Sequence, residues 1–139
     1  MSFAPLLSAS PVVQLHAAAA LGAFGLGAYQ MASRKGMRGH RRAGWVWVVL
    51  MGVVALSSLG IVSSRPWIGP LGPIHALSAL TLMTLPLAVI HARRGRIAGH
   101  RRAMMLLFFI GLVLTGAFTL IPGRLMHQVV FGSSIGLGT

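Results

Sequence analysis

The residues of this chain best able to do chemistry are its six histidines, four of which fall into two matched pairs. His16 and His75 hold equivalent places in two copies of one unit, residues 16–61 and 75–121, and His40 and His100 align after a one-residue gap. The string Gly-His-Arg-Arg-Ala stands at 39–43 and again at 99–103, and Arg34 matches Arg93. The apolar filling of the two copies has diverged around this shared polar set. Two neutral imidazoles facing each other across a helical bundle supply both axial ligands of a haem iron. On this reading His16 and His75 are the metal ligands of an outer haem b, and His40 and His100 those of an inner one. Arg41, Arg42, Arg101 and Arg102 adjoin the inner pair and neutralise haem propionates. Up to two haems would then form an electron path across or along a membrane, to or from quinone.

The same residues have a plainer reading as polar side chains at helix ends, wet enough to need no partner. His40 and His100 would then cap a helix or bind lipid phosphate. His91, where the first copy has Ala32, and His127, beyond the second copy, read as interfacial. The eight methionines read as packing and lipid-facing residues, since no Met-rich spacing supports a copper site.

Composition narrows the chemistry further. The chain has 139 residues, which is one domain by length, and contains no Asp, Glu or Cys. That excludes a carboxylate dyad, a Ser-His-Asp triad, acid-ligated magnesium or calcium, an intramembrane carboxylate relay, and any disulfide or thiolate centre. What remains is imidazole, guanidinium or a bound cofactor. With 55% hydrophobic and 9% charged residues and a mean hydropathy of +0.81, the surface is suited to lipid. The net charge of +12 is clustered between hydrocarbon-like stretches, so the expected partners are the bilayer and its anionic lipids, not nucleic acid.

Four apolar stretches must position the histidines: about Pro11 to Ser33, Ala43 to Ser63, Ile74 to Ala92, and Ala103 to Ile121. Each is long enough, as a helix, to cross a bilayer core of about 30 Å. Ser10-Pro11 suits a helix start, and Pro122-Gly123 stops the last stretch. The expected fold class is all-α: an integral membrane four-helix bundle made of two parallel-repeat helical hairpins. One transmembrane domain, 1–139, divides into repeat 1 (10–64), a Pro/Gly-rich connector (65–72), repeat 2 (73–124) and a C-terminal tail (125–139). Small residues Gly22, Gly25 and Gly27 suit close helix contact, and Trp45, Trp47 and Trp67 suit the membrane interfaces.

Of the twelve Lys and Arg residues, all but Arg65 and Arg124 lie in or beside the two intra-repeat loops. The positive-inside rule then puts both loops in the cytoplasm and both termini outside, in a bacterial cytoplasmic membrane. No Lys or Arg precedes Arg34, so the positive segment of a cleavable signal peptide is missing and the first helix is expected to stay.

Lys35-Gly36, His40-Arg41, Gly44-Trp45, Met51, Ser57-Ser58, Pro73-Ile74-His75, His100-Arg101 with Met104, Ala117-Phe118 and Pro122-Gly123-Arg124 follow in a distinctive order. Together they resemble the bacterial four-helix membrane family known as domain of unknown function 2306, over about residues 10–131. The resemblance implies an integral membrane protein of four helices and brings no activity with it. The paired histidines are also similar in arrangement to those of two-haem cytochromes b of the b561 type.

Three functional readings follow. The first is a small b-type cytochrome. The second is a non-catalytic accessory or assembly subunit of a larger membrane complex of respiratory type, or a homodimer, with no cofactor of its own. The third, a transporter or channel, has the least support because there is no mid-membrane polar cluster.

Overall fold

The computed structural model describes residues 2–61 and 72–132. Arg65, Trp67 and the connector up to residue 71 lie outside the described residues, as do the last residues of the tail, 133–139. Four helices long and apolar enough to cross a membrane make up most of the rest: α2 (Pro11–Ala32), α3 (Arg38–Leu59), α4 (Pro73–Arg93) and a fourth span, Ile97–Thr119. The fourth span is composite, with α5 (Ile97–Leu106), a π-helical segment (Leu107–Leu114) and α6 (Thr115–Thr119). Short helices α1 (Ala4–Leu7) and α7 (Leu125–Phe131) flank the bundle.

Each helix begins where its sequence allows. Ser10 is extended and Pro11 takes the first helical position of α2, where its missing N–H would have had no partner in any case. Pro73 does the same for α4. The two hairpins reverse through glycines in the left-handed region, Gly36 at φ +82° and Gly95 at φ +69°, and these stand at equivalent places in the two copies. The duplication therefore extends to the backbone of the turns.

The helices form a ring. Consecutive helices pack side by side, α2 on α3, α3 on α4 and α4 on α5, and α2 closes the circle against the π-helical segment. Among the described residues no Cα of α2 comes within 8 Å of α4, so those two stand on one diagonal. The core at the centre is Ala23, Trp47, Met51, Leu85, Leu107, Phe108 and Leu112. The surface is inverted relative to a protein built for water. Met83 is 71% exposed and Val49 62%, whereas Gln30 is 8% exposed. Buried Ser58 and Ser78 join their hydroxyls across α3 and α4, and each also meets a carbonyl of its own helix, Ala55 and Ile74. In an apolar surround such a pair ties the two hairpins together, because neither hydroxyl has water to turn to.

Several details depart from the sequence expectation. α3 and α5 begin at Arg38 and Ile97, before the apolar stretches do, so the Gly-His-Arg-Arg-Ala strings lie on helix and only short turns remain as loops. Hydropathy marks where lipid begins, whereas helix hydrogen bonding continues into water with arginines pointing outward. Trp47 is not interfacial: it is 1% exposed in the core and donates its indole N–H to the Ala23 carbonyl at 2.9 Å. Gly27 is the close-packing glycine, since a Cβ there would meet Phe108 at 2.6 Å and Trp47 Nε1 at 2.9 Å. Gly25, by contrast, has nothing within 4 Å of such a Cβ. The described part of the tail holds α7, which packs on α1, and Ser2 N–H donates to the Val129 carbonyl at 3.0 Å.

Candidate ligand site at the loop end of the bundle

At the end of the bundle that carries the two hairpin turns, each of the four spans contributes one polar side chain. They are Gln30 from α2, His40 from α3, His91 from α4 and His100 from α5. Gln30 lies across the bare backbone of Gly44, and its Nε2–H donates to the His40 carbonyl at 3.0 Å. His100 donates Nδ1–H to the Ala88 carbonyl at 2.9 Å. The ring of His91 rests on Gly99, where a Cβ would come within 2.9 Å of its Nδ1. His40 and His100 stand close enough for their charges to interact, with Lys35 adding to the positive field at His40. The chain of neighbours thus runs from Gln30 to His40, on to His100, and through Ala88 and Gly99 to His91.

Three atoms of this group are buried and have no hydrogen-bond partner: Gln30 Oε1, His40 Nδ1 and His91 Nδ1. An unpaired buried polar atom costs about 1–3 kcal/mol, so three at one end of a small bundle set that end apart from the rest of the core. Nothing comparable occurs at the opposite end among the described residues.

The histidine tautomers follow from what each ring nitrogen faces. A carbonyl only accepts, so Nδ1 of His100 must carry a proton, which in the neutral tautomer leaves the lone pair on Nε2. His16 is set the same way, donating Nδ1–H to the Val54 carbonyl at 3.0 Å with Ser57 Oγ also at 3.0 Å. Metal-ligating histidines usually have this arrangement, with the far nitrogen anchored on a backbone carbonyl. His75 is the reverse: its Nδ1 accepts the Gly72 N–H at 3.2 Å, so the neutral ring carries its proton on Nε2. His127, at the termini end, donates to the Leu120 carbonyl at 2.8 Å and stacks near Phe131.

The structure therefore treats the two predicted pairs differently. His40 and His100 are brought into electrostatic reach of each other. Both pairs lie on diagonal helices, α3 and α5 for the inner pair and α2 and α4 for the outer, and what separates them is that His16 and His75 are each engaged within or beside their own hairpin. Arg41, Arg42, Arg101 and Arg102 occupy the first turns of α3 and α5, next to the inner pair, and all four are exposed. Arg93 lies 5.7 Å over the ring of Trp45, a cation–π contact that joins the hairpins at this end. Among the described residues no three His, Cys, Asp or Glu side chains gather to hold a bare metal ion. Two axial nitrogens for a macrocycle that brings its own four are a lesser demand.

Sequence reading did not single out Gln30, and it read His91 as merely interfacial. Neither has a counterpart in the other copy, so the internal repeat pointed away from both. The available signal for Gln30 was an amide set in an apolar run ten residues before His40.

The chain matches the family described as predicted membrane protein (DUF2306) over residues 13–134. It belongs to that family, whose description is of a membrane protein and carries no activity. No curated protein and no solved structure matches the chain.

Proposed function

We propose that this protein is a small membrane electron carrier of the b-type cytochrome kind, with haem b held at the loop end by His40 and His100. The observation that carries this reading is a His100 ring anchored through Nδ1 on the Ala88 carbonyl, within electrostatic reach of a His40 whose Nδ1 is buried and unpartnered. When bound, haem would supply a readily reversible one-electron couple. The chain's own residues hold and tune it. Ala88 fixes the His100 tautomer, Gln30 holds the His40 backbone in place, and Arg41, Arg42, Arg101 and Arg102 offer guanidinium groups to carboxylates. A second haem between His16 and His75 would require His75 to release the Gly72 N–H. Ten of twelve cations at the loop end support a bacterial cytoplasmic membrane location with the loops inside and both termini outside.

Purified from haem-replete cells, the protein should be red and show a reduced-minus-oxidised α band. A folded, colourless preparation refutes the reading. A second reading, an accessory or assembly subunit without a cofactor, is favoured by how fully His16 and His75 are engaged by Val54, Ser57 and Gly72. It predicts a stable membrane partner on co-purification, retained after His40→Ala and His100→Ala.

A further inference from the structure

We propose that the outer face between α3 and α4, at the loop end, is a site for one anionic phospholipid whose phosphate is held by Arg93 where that residue lies over Trp45. The site shares no residue with the proposed haem site and stands or falls independently of it.

Arg93 closes α4, and its guanidinium is placed 5.7 Å over the ring of Trp45 on the neighbouring helix. A guanidinium set over a ring still presents its N–H edge, which matches a pair of phosphate oxygens. The chain contains no Asp or Glu, so no acidic side chain can take that edge. Arg38, seven residues before Trp45, is exposed on the same face of α3, about two turns nearer the loop. Trp45 is itself half-exposed, and an indole so placed marks the depth at which lipid head groups begin.

Beyond the indole the same stripe of α3 turns apolar. Val49 and Leu56 are exposed, and between them Gly52 leaves a notch, since a Cβ there would meet nothing within 4 Å. An acyl chain laid along this stripe runs from the ring toward the bilayer centre with its phosphate at the arginine. Cation, ring and aliphatic surface thus follow one another in the order of the parts of a phospholipid.

Charge decides the head group. Arg94 and Arg96 adjoin Arg93 and are exposed. A choline or ethanolamine head would bring its ammonium among these cations with no carboxylate side chain to receive it, whereas a glycerol head brings none. The matching place in the other half of the bundle lacks the combination. Met105 is the counterpart of Trp45, so Arg34, the counterpart of Arg93, meets no indole there. The chain therefore holds one such lipid, not two.

The test is native mass spectrometry of the detergent-solubilised full chain, titrated in turn with dioleoyl-phosphatidylglycerol and dioleoyl-phosphatidylcholine. A single phosphatidylglycerol adduct should saturate first, with a preference of at least about fivefold over phosphatidylcholine. Arg93→Gln should remove that preference, and so should Trp45→Leu, which alters no charge. Arg96→Gln removes an equal charge from the same turn and should leave the adduct unchanged. Equal losses in Arg93→Gln and Arg96→Gln would show attraction to the basic end as a whole and overturn the proposal. An even ladder of adducts on the unaltered chain overturns it without recourse to any variant. Displacement of the lipid by millimolar inorganic phosphate also overturns it, by marking a site for a free anion.

Discussion

Trp47 donates its indole N–H to the carbonyl of Ala23 across 2.9 Å, joining α3 to α2 at the centre of the buried core. The bond is made where no water competes for either group. Trp47→Phe keeps most of the packing and removes the donor. It should lower stability by about 0.5–1.5 kcal/mol, read from detergent-denaturant unfolding monitored by helicity. An unchanged midpoint would show that the indole contributes packing alone.

Gly27 and Gly25 lie two residues apart on α2, and adding a methyl group should separate them. At Gly27 the new Cβ would meet Phe108 and Trp47 well inside contact distance, and both are core residues with little room to move. Gly27→Ala should cost about 1–3 kcal/mol by overpacking. Gly25→Ala meets nothing within 4 Å and should be neutral or slightly stabilising through helix propensity. Equal effects at the two positions would contradict the packing described here.

The duplicated string offers an internal control of the same kind. Gly99 is covered by the ring of His91, whereas its sibling Gly39 is open. Gly99→Ala should displace His91 and lower the thermal midpoint, while Gly39→Ala should not. Adding His91→Ala to Gly99→Ala should recover most of the loss, a non-additivity expected only of residues in contact. A double variant as unstable as the sum of the singles would argue against that contact.

The two histidine pairs should separate in an absorption experiment. His40→Ala or His100→Ala is expected to abolish the α band, whereas His16→Ala and His75→Ala should leave its amplitude unchanged. The outer substitutions should act on stability instead, since each removes a hydrogen bond to backbone worth about 1 kcal/mol. Loss of half the band in His16→Ala would instead indicate a second haem.

Ser58 and Ser78 supply a test of how the hairpins are joined. Ser58→Ala and Ser78→Ala should each destabilise by about 0.5–1.5 kcal/mol, and the double variant should cost little more than either alone. Strict additivity would show that each hydroxyl serves only its own helix carbonyl.

Much of this arrangement was legible from residue order. The four spans show in the apolar stretches, and the hairpin pairing shows in the repeat, whereas the turns built on Gly36 and Gly95 emerge from the backbone. Helix starts were less legible, because arginine side chains at Arg38–Arg42 mark the edge of lipid without ending a helix. The π-helical segment was hidden for another reason. Leu-Phe-Phe-Ile-Gly-Leu-Val-Leu has the composition of any apolar helix, and only tertiary packing selects the wider winding. Thr115 marks its end in space by donating its hydroxyl to the Ile110 carbonyl five residues back. Gln30 and His91 escaped because symmetry was the guide and they are the asymmetric members of the site.

The first turns of α3 and α5 crowd arginines together in a chain that has no acidic side chain anywhere. Electroneutrality at that end must therefore be borrowed from the surroundings. The choice of amphiphile during isolation thus becomes part of the protein's chemistry: zwitterionic micelles leave a bare polycation, and a few phosphatidylglycerol molecules restore the counter-charge. Preparations that differ only in retained lipid should differ in cohesion at this end, and lipid content should be measured before any loss of ligand is blamed on a substitution.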